Sequence, residues 1–323
     1  MFAVYVETPN PDAPLEALRL GQRPEPEIPP GWTRVAVSHA SLNRHDVFTL
    51  RGVTGHPTPI PFPMILGNDG VGRLDDGTEV VLYPLVTGPG RRGDETLAPD
   101  WHVLSEKVQG TFAEYVAVPR ENVLPLPPGL SAVDASVLGT AWLTAYRSLF
   151  TRARLKPGQT VLVQGATGGM STALIQLGRA AGLTVWATSR SRRGLEMAER
   201  LGAHVVLPDG APTPGKADAV CDNVGAATFG HSLRSLARGG VLVVTGVTAG
   251  QHVPLDLLPL IVNQVSVVGS IMGTLEEMRR LMDFVVGHGI RPEIDAVVPL
   301  DQARGAFERM VRGEVAGKLV LAV

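Results

Sequence analysis

Between residues 137 and 270 short apolar runs alternate with helix-like stretches. The runs at 160–164, 184–188, 204–207, 219–222, 241–245 and 265–269 predict strands. Helices lie between most of them; one over 193–201 ends at Gly202, and one over 228–237 ends at Gly239. Strands that alternate with helices form βαβ units. Right-handed crossovers then give an α/β, doubly wound parallel sheet.

The pattern differs on either side. Up to about residue 128 proline and glycine are frequent, and short alternating segments such as 32–37 and 112–118 predict a mostly-β unit. From Leu275 a helix to about residue 288, a strand, a helix over 301–312 and a final strand over 318–323 are expected. That last segment is expected to dock back on the first unit. The spans are therefore 1–125, mostly β; 126–271, doubly wound; and 272–323, a return segment completing the first. No internal repeat or low-complexity tract breaks this order.

Composition narrows the reading further. The chain has 323 residues, 44% apolar and 19% charged, which suits about two folded domains and excludes wholesale disorder. A formal net charge of −2 points to neither nucleic acid nor an anionic membrane as partner. Cys221 is the single cysteine, so neither an internal disulfide nor a multi-cysteine metal site is available. The opening MFAVYVETPNPD has no basic start followed by a long apolar run. No uninterrupted apolar stretch is long enough to span a bilayer. A cytoplasmic protein is expected.

Chemistry enters at residues 161–171, VLVQGATGGMS. An apolar strand runs into a turn of small residues and then a helix, the arrangement of a dinucleotide phosphate site. Glycines let backbone N–H groups approach the pyrophosphate, and the helix start adds unpaired donors. In register with G-x-G-x-x-G the run reads Ala166-x-Gly168-x-x-Ser171, so small residues replace the outer glycines. An ordinary strand-to-helix turn could look similar; the surrounding βαβ pattern favours the nucleotide reading. Gly165, Ala166, Thr167, Gly168, Gly169 and Met170 are the residues expected at the phosphates. Ser189, Arg190, Arg192 and Arg193 follow the second strand, with no Asp or Glu between 184 and 195. An acidic residue here would bind a free ribose 2′-hydroxyl, whereas arginines accommodate a 2′-phosphate. A solvated basic helix start is the plainer alternative; the pattern favours NADPH over NADH. Ligands of such sheets sit at the carboxyl ends of strands, which adds Asn223, Val224, Gly246 and Val247.

Several further motifs occur in order: Ser41-Leu-Asn43-Arg44-His45-Asp46 with Arg51-Gly52; Leu66-Gly67-Asn68-Asp69-Gly70-Val-Gly72; Gly110-Thr-Phe-Ala-Glu114-Tyr115-Val-Ala-Val-Pro119; Gly139-Thr-Ala-Trp-Leu-Thr144-Ala-Tyr146; Asp222-Asn-Val-Gly225; and Ala316-Gly-Lys318-Leu-Val. With the glycine loop they make the chain resemble the medium-chain dehydrogenase/reductase superfamily over essentially its whole length, and within it the zinc-independent quinone oxidoreductase branch. The resemblance implies a GroES-like, mostly-β catalytic domain, a Rossmann domain and a cleft between them. Matched motif by motif with the zinc alcohol dehydrogenases, Asn43 stands at a cysteine ligand, Asn68 at the histidine and Thr140 at the second cysteine, while Asp69 keeps a carboxylate. Amides and a hydroxyl bind Zn²⁺ poorly. The stretch 84–109, which resembles the structural-zinc lobe of those relatives, has no cysteine. No metal is expected; His45, Asp46 and His56 form at most an accidental set.

Without a Lewis acid, alcohol oxidation loses its alkoxide stabiliser, whereas a quinone or activated enone is already electrophilic. The expected activity is hydride transfer from NADPH to such an acceptor. The resemblance places Asn43 and Thr144 at the reacting centre and Arg44 at the cofactor phosphates. It places Ser270, Ile271 and Met272 across the nicotinamide, with Lys318 reaching the phosphates or the cleft. Each has a plainer reading: Asn43 bonding its own turn, Thr144 bonding within its helix, Arg44 a surface charge. Tyr83, Trp101 and Phe48 could line a pocket or fill the core, Cys221 reads as a buried inert thiol, and His204, His231 and His288 as surface or element-end residues. Two other functions stay open: an NADPH-binding sensor or partner protein with little turnover, and a zinc alcohol dehydrogenase with unusual ligands. A homodimer through residues 265–269 is expected by resemblance, with a small molecule as substrate.

Overall fold

A computed structural model describes residues 1–323 apart from His56, Pro57 and residues 89–92. His56, weighed above beside His45, therefore lies outside the described residues. The chain forms two units. One comprises Met1–Ala141, Gly273–Val286 and Ile294–Val323; the other comprises Trp142–Met272 and Gly287–Glu293.

The second unit is built on a six-stranded sheet in the order Val205–Pro208, Thr184–Ser189, Thr160–Val163, Ala217–Asp222, Leu236–Val244, Ser266–Gly269. Every pairing is parallel: Leu162 lies opposite Trp186 on one side and Val220 on the other. Val161, Leu162 and Val163 have no exposed surface, as near-continuous apolar strands covered on both faces should. The chain runs outward from Thr160–Val163 on one side, then returns to begin Ala217–Asp222 on the other. The crevice where strand order reverses is the natural ligand position, and it opens beside Gln164 and Asn223.

Two elements differ from expectation. The helix expected over 228–237 spans Ala226–Ser235, and the next strand begins at once at Leu236. His231 on that helix is buried rather than a surface residue. Its Nδ1 accepts from Gln164 Nε2 at 2.9 Å, and Nε2–H donates to the Ala211 carbonyl at 2.9 Å.

The first unit holds a seven-stranded sheet in the order Val123–Pro125, Glu79–Leu82, Val71–Arg73, Trp32–Ser41, Lys318–Ala322, Ile294–Pro299, with Tyr115–Pro119 also paired to Trp32–Ser41. In this sheet the C-terminal strand Lys318–Ala322 runs antiparallel to Trp32–Ser41, Val320 opposite Ser41. Leu42, Leu66, Leu82, Phe112, Phe307 and Leu319 centre the core, with Phe112 and Phe307 edge to face at 6.3 Å. This pairing carries Lys318 to the end of the strand that leads into Asn43. Among the described residues no helix is long and apolar enough to cross a membrane.

Candidate active site

The strand Trp32–Ser41 passes through Leu42 and Asn43 into the helix Arg44–Leu50. Asp46, in the first turn, accepts from the N–H of Asn43 at 2.7 Å and of Gly67 at 2.8 Å. Strand end, helix and the 67–70 loop are thereby fixed on one carboxylate. Burial pushes that carboxyl up to about 6, against the charges of His45 and Lys318 and its two N–H donors.

A second buried carboxylate, Asp69, gathers the polar side chains. It accepts from Ser41 Oγ at 2.6 Å, Asn43 Nδ2 at 2.9 Å and Thr140 Oγ1 at 2.5 Å. Lys318 Nζ lies 3.9 Å away and donates to the Leu42 carbonyl at 2.8 Å and Asn43 Oδ1 at 2.6 Å. Thr140 can come this close because its neighbour is a glycine: a Cβ on Gly139 would sit 2.8 Å from Asp69 Oδ1. Lys318 is 3% exposed. Burial lowers its pKa, and the charges of Asp69 and Asp46 oppose that drop.

This geometry changes two expectations. Lys318 points into the cluster rather than out toward phosphates. Asn43 donates both Nδ2 hydrogens within the chain, to Asp69 and, at 3.2 Å, to the Ser41 carbonyl. Its own turn and its neighbours hold it together. Asn68 turns away: Nδ2 donates to the Leu104 carbonyl, and Oδ1 is buried without a partner among the described residues. Among the described residues no group of three or more His, Cys, Asp or Glu is arranged to hold a metal ion. Thr144 is buried in the second unit, where its carbonyl accepts from Ser148 Oγ at 2.7 Å. Arg44 is exposed. Tyr83 is a core residue whose hydroxyl donates to the Gly273 carbonyl at 2.8 Å, while Phe48 and Trp101 are half-buried. Cys221 is buried, and burial with the Asp222 charge pushes its thiol up to about 12, so it is inert near neutral pH.

Sequence reasoning missed one pair. Glu106 Oε1 lies 3.0 Å from His45 Nε2. Burial would lower the His45 pKa, but the hydrogen bond and charge of Glu106, with Asp46 and Asp69 behind, outweigh it and raise it. Glu106 carries no motif and lies 61 positions along the chain from His45, so nothing in the sequence pointed to it.

In the second unit the glycine loop turns from the strand Thr160–Val163 into the helix Gly169–Ala180. Gly165 has φ +71°, the left-handed region that favours glycine. The loop is fastened to the second strand by Gly165 N–H to Thr188 Oγ1 at 3.3 Å and Ala166 N–H to the Thr188 carbonyl at 2.8 Å. The helix Gly169–Ala180 starts behind Gly168, which offers no side-chain cap, so its first N–H groups face the loop. Ser171, in place of the third glycine, donates to the Gln164 carbonyl at 3.2 Å and accepts from Asn223 Nδ2 at 3.2 Å. Asp222 braces the neighbouring turn by accepting from the N–H of Val224 and Gly225 and the hydroxyls of Thr228 and Ser232.

Thus Gly165–Met170, Ser189, Asn223–Val224 and Gly246–Val247 converge at the carboxyl ends of four adjacent strands. Ser189 is buried at its strand end, and Arg190 and Arg193 are exposed beyond it. Arg192 pairs with Glu196 at 2.8 Å. Ser270, Ile271 and Met272 follow the sixth strand. Ser270 Oγ is buried without a partner among the described residues, Ile271 is exposed, and Met272 is buried with φ +49°.

Known proteins share this architecture. The alcohol dehydrogenase GroES-like domain family matches residues 29–128, and the zinc-binding dehydrogenase family matches residues 169–287. An alcohol dehydrogenase of Geobacillus stearothermophilus is 28% identical over 95% of this chain and 96% of its own. A zinc-type alcohol dehydrogenase-like protein of Schizosaccharomyces pombe is 30% identical over 93% and 94%. A provisionally named quinone oxidoreductase of Bacillus subtilis is 26% identical over 91% of each chain. The crystal structure of an NAD-dependent alcohol dehydrogenase superposes with a TM-score of 0.92 at 30% identity over the full length of both chains. The chain belongs to the medium-chain dehydrogenase/reductase superfamily of oxidoreductases, whose fold binds a nicotinamide cofactor.

Proposed function

We propose that this protein is an NADPH-dependent reductase that transfers hydride to a quinone or activated enone without zinc. The observation that carries the reading is the closed cluster around Asp69. Zinc takes thiolate, imidazole or carboxylate ligands. At the three positions matched to zinc ligands stand two amides and a hydroxyl, and all three donate hydrogen bonds to acceptors of the chain itself. The Lys318 ammonium lies 2.6 Å from Asn43 Oδ1, where a dication would meet its charge. Such a donor set suits an acceptor that needs no Lewis acid. The relative named for quinone reduction supports the same class.

The bound reduced nicotinamide supplies a hydride; the protein supplies position and exclusion of water. The N–H groups at Gly168, Gly169 and Met170 hold the pyrophosphate. Ser189, Arg190 and Arg193 receive the 2′-phosphate. Asn223, Val224, Gly246, Val247, Ser270, Ile271 and Met272 flank the cofactor, and Thr144 fixes the nicotinamide end. Asn43 orients the acceptor oxygen by turning an N–H from its longer bond, to Ser41 O, toward that oxygen. Lys318 acts by holding Asn43.

A second copy is the proposed partner. The helix Leu257–Asn263 has no buried residue: Leu257, Leu258, Ile261 and Val262 are 55–71% exposed. It precedes Ser266–Gly269, the edge strand whose outer side pairs with nothing among the described residues. An open edge beside an apolar patch invites pairing across a two-fold axis.

The cofactor half of the reading is tested by titrating NADPH and NADH into the wild type and Arg190→Ala/Arg193→Ala. Tighter NADPH binding by the wild type, with the preference lost in the variant, is expected. Equal affinities in the wild type contradict the 2′-phosphate site.

A further inference from the structure

Reduction of a conjugated carbonyl needs a proton as well as a hydride, and most titratable groups of the Asp69 cluster are poorly placed to give one. Both oxygens of Asp46 accept backbone N–H bonds, and the residue has no exposed surface. Asp69 is also fully buried and already accepts three hydrogen bonds. Lys318 is enclosed against Leu42 O, Asn43 Oδ1 and Asp69. Its loss of a proton would leave Asp69 without its cation.

His45 differs in three respects. It stands on the same helical turn as Asn43, two residues on, and its side chain keeps 23% exposure. Its Nε2 is held by Glu106, whose carboxylate is itself fixed: Oε2 accepts from Val103 N–H at 3.1 Å and Oε1 from Thr54 Oγ1 at 3.4 Å. Its Nδ1 is buried and has no hydrogen-bond partner among the described residues. A carboxylate that orients one ring nitrogen and leaves the other unbonded is the arrangement of a positioned acid. The charged groups acting on the ring are Glu106, Asp46 and Asp69, all anionic, and they favour its protonated form.

We infer that His45 donates, from Nδ1, the proton that completes acceptor reduction, with Glu106 as its positioning residue. The inference rests on the reductase reading. Two electrons reach the acceptor carbon with the hydride, and the reduced nicotinamide is oxidised. The acceptor oxygen is left anionic; its O–H bond forms as the Nδ1–H bond of the imidazolium breaks. The neutral ring keeps its Nε2–H bond to Glu106 and regains a proton from solvent.

The test pairs ring titration of the cofactor-free protein with turnover. The His45 ring signals, identified by their loss in His45→Gln, are followed by NMR against pH in the wild type and in Glu106→Gln. The midpoint is expected to fall by about one unit in Glu106→Gln, since a carboxylate partner has been removed. Turnover is measured with NADPH and the faster of two acceptors, an ortho-quinone and 2-cyclohexen-1-one. Wild-type kcat is expected to drop as pH rises through the NMR midpoint. His45→Gln loses that limb and about a hundredfold in kcat at unchanged KM for NADPH. Glu106→Gln moves the limb to lower pH in step with its NMR midpoint, which a merely structural role would not do. A His45→Gln enzyme with wild-type kcat and the same limb overturns the donor while leaving the reductase reading standing. A ring midpoint indifferent to Glu106→Gln overturns the pair. No NADPH oxidation by the wild type with either acceptor removes the reductase reading, and the inference with it.

Discussion

At the scale of residues, the Lys318 ammonium is buried in a cluster that holds two buried carboxylates. Removing one partner from a buried pair leaves the other charge uncompensated, which costs about 3–5 kcal/mol. Lys318→Met is therefore expected to lower the unfolding free energy, measured by urea denaturation, by that amount, and a change under about 1 kcal/mol would show that the pair is not coupled to folding. Asp46 makes a second prediction. Its carboxyl is raised from 3.8 to about 6 in the folded chain, so folding favours the protonated form. That contribution is present below about pH 4 and lost as pH rises through 6. The wild type therefore loses roughly 2 kcal/mol relative to Asp46→Asn between pH 4 and pH 7. Parallel stability curves for the two proteins would contradict it. The residues at Asn43, Asn68 and Thr140 were legible as departures from a metal-binding pattern. The bonds they make were not. Asn43 meets Lys318 only because Lys318–Ala322 pairs with Trp32–Ser41, a contact between positions 275 residues apart.

At the scale of elements, the apolar runs of the second unit read clearly because both faces of each strand are covered. Residues 161–163 have no exposed surface and no polar position to confuse the period. Ends were harder to read. Gly239 looked like a helix stop, yet the helix ends at Ser235 and Leu236 already belongs to the next strand. Tertiary bonds set that element: Gln164, Asp222, His231 and Ser232 are linked beneath the sheet end, which draws His231 inward. The helix Leu257–Asn263 shows the opposite case, apolar in sequence and exposed in the structure. If a second copy covers it, Leu258→Glu/Ile261→Glu sediments as a monomer at micromolar concentration where the wild type is a dimer. A monomeric wild type under those conditions contradicts the assembly.

At the scale of the whole molecule, the fold was legible because the motifs run in order from Ser41 to Val320 and each lands on the element that its chemistry needs. The glycine loop lies between a strand and a helix, and the Asn223 turn lies at a strand's carboxyl end. The Lys318 motif starts the strand that returns to the first unit. The partner of His45 was not legible, because Glu106 belongs to a loop whose course depends on packing. The proposed metal-free, NADPH-dependent reduction is measured by absorbance loss at the reduced-nicotinamide band after chelator treatment, with NADPH or NADH and an ortho-quinone. Rapid loss with NADPH, little with NADH and the same rates before and after the chelator are expected. No loss with either nucleotide despite tight NADPH binding, or a rate that the chelator abolishes and zinc restores, would contradict the proposal.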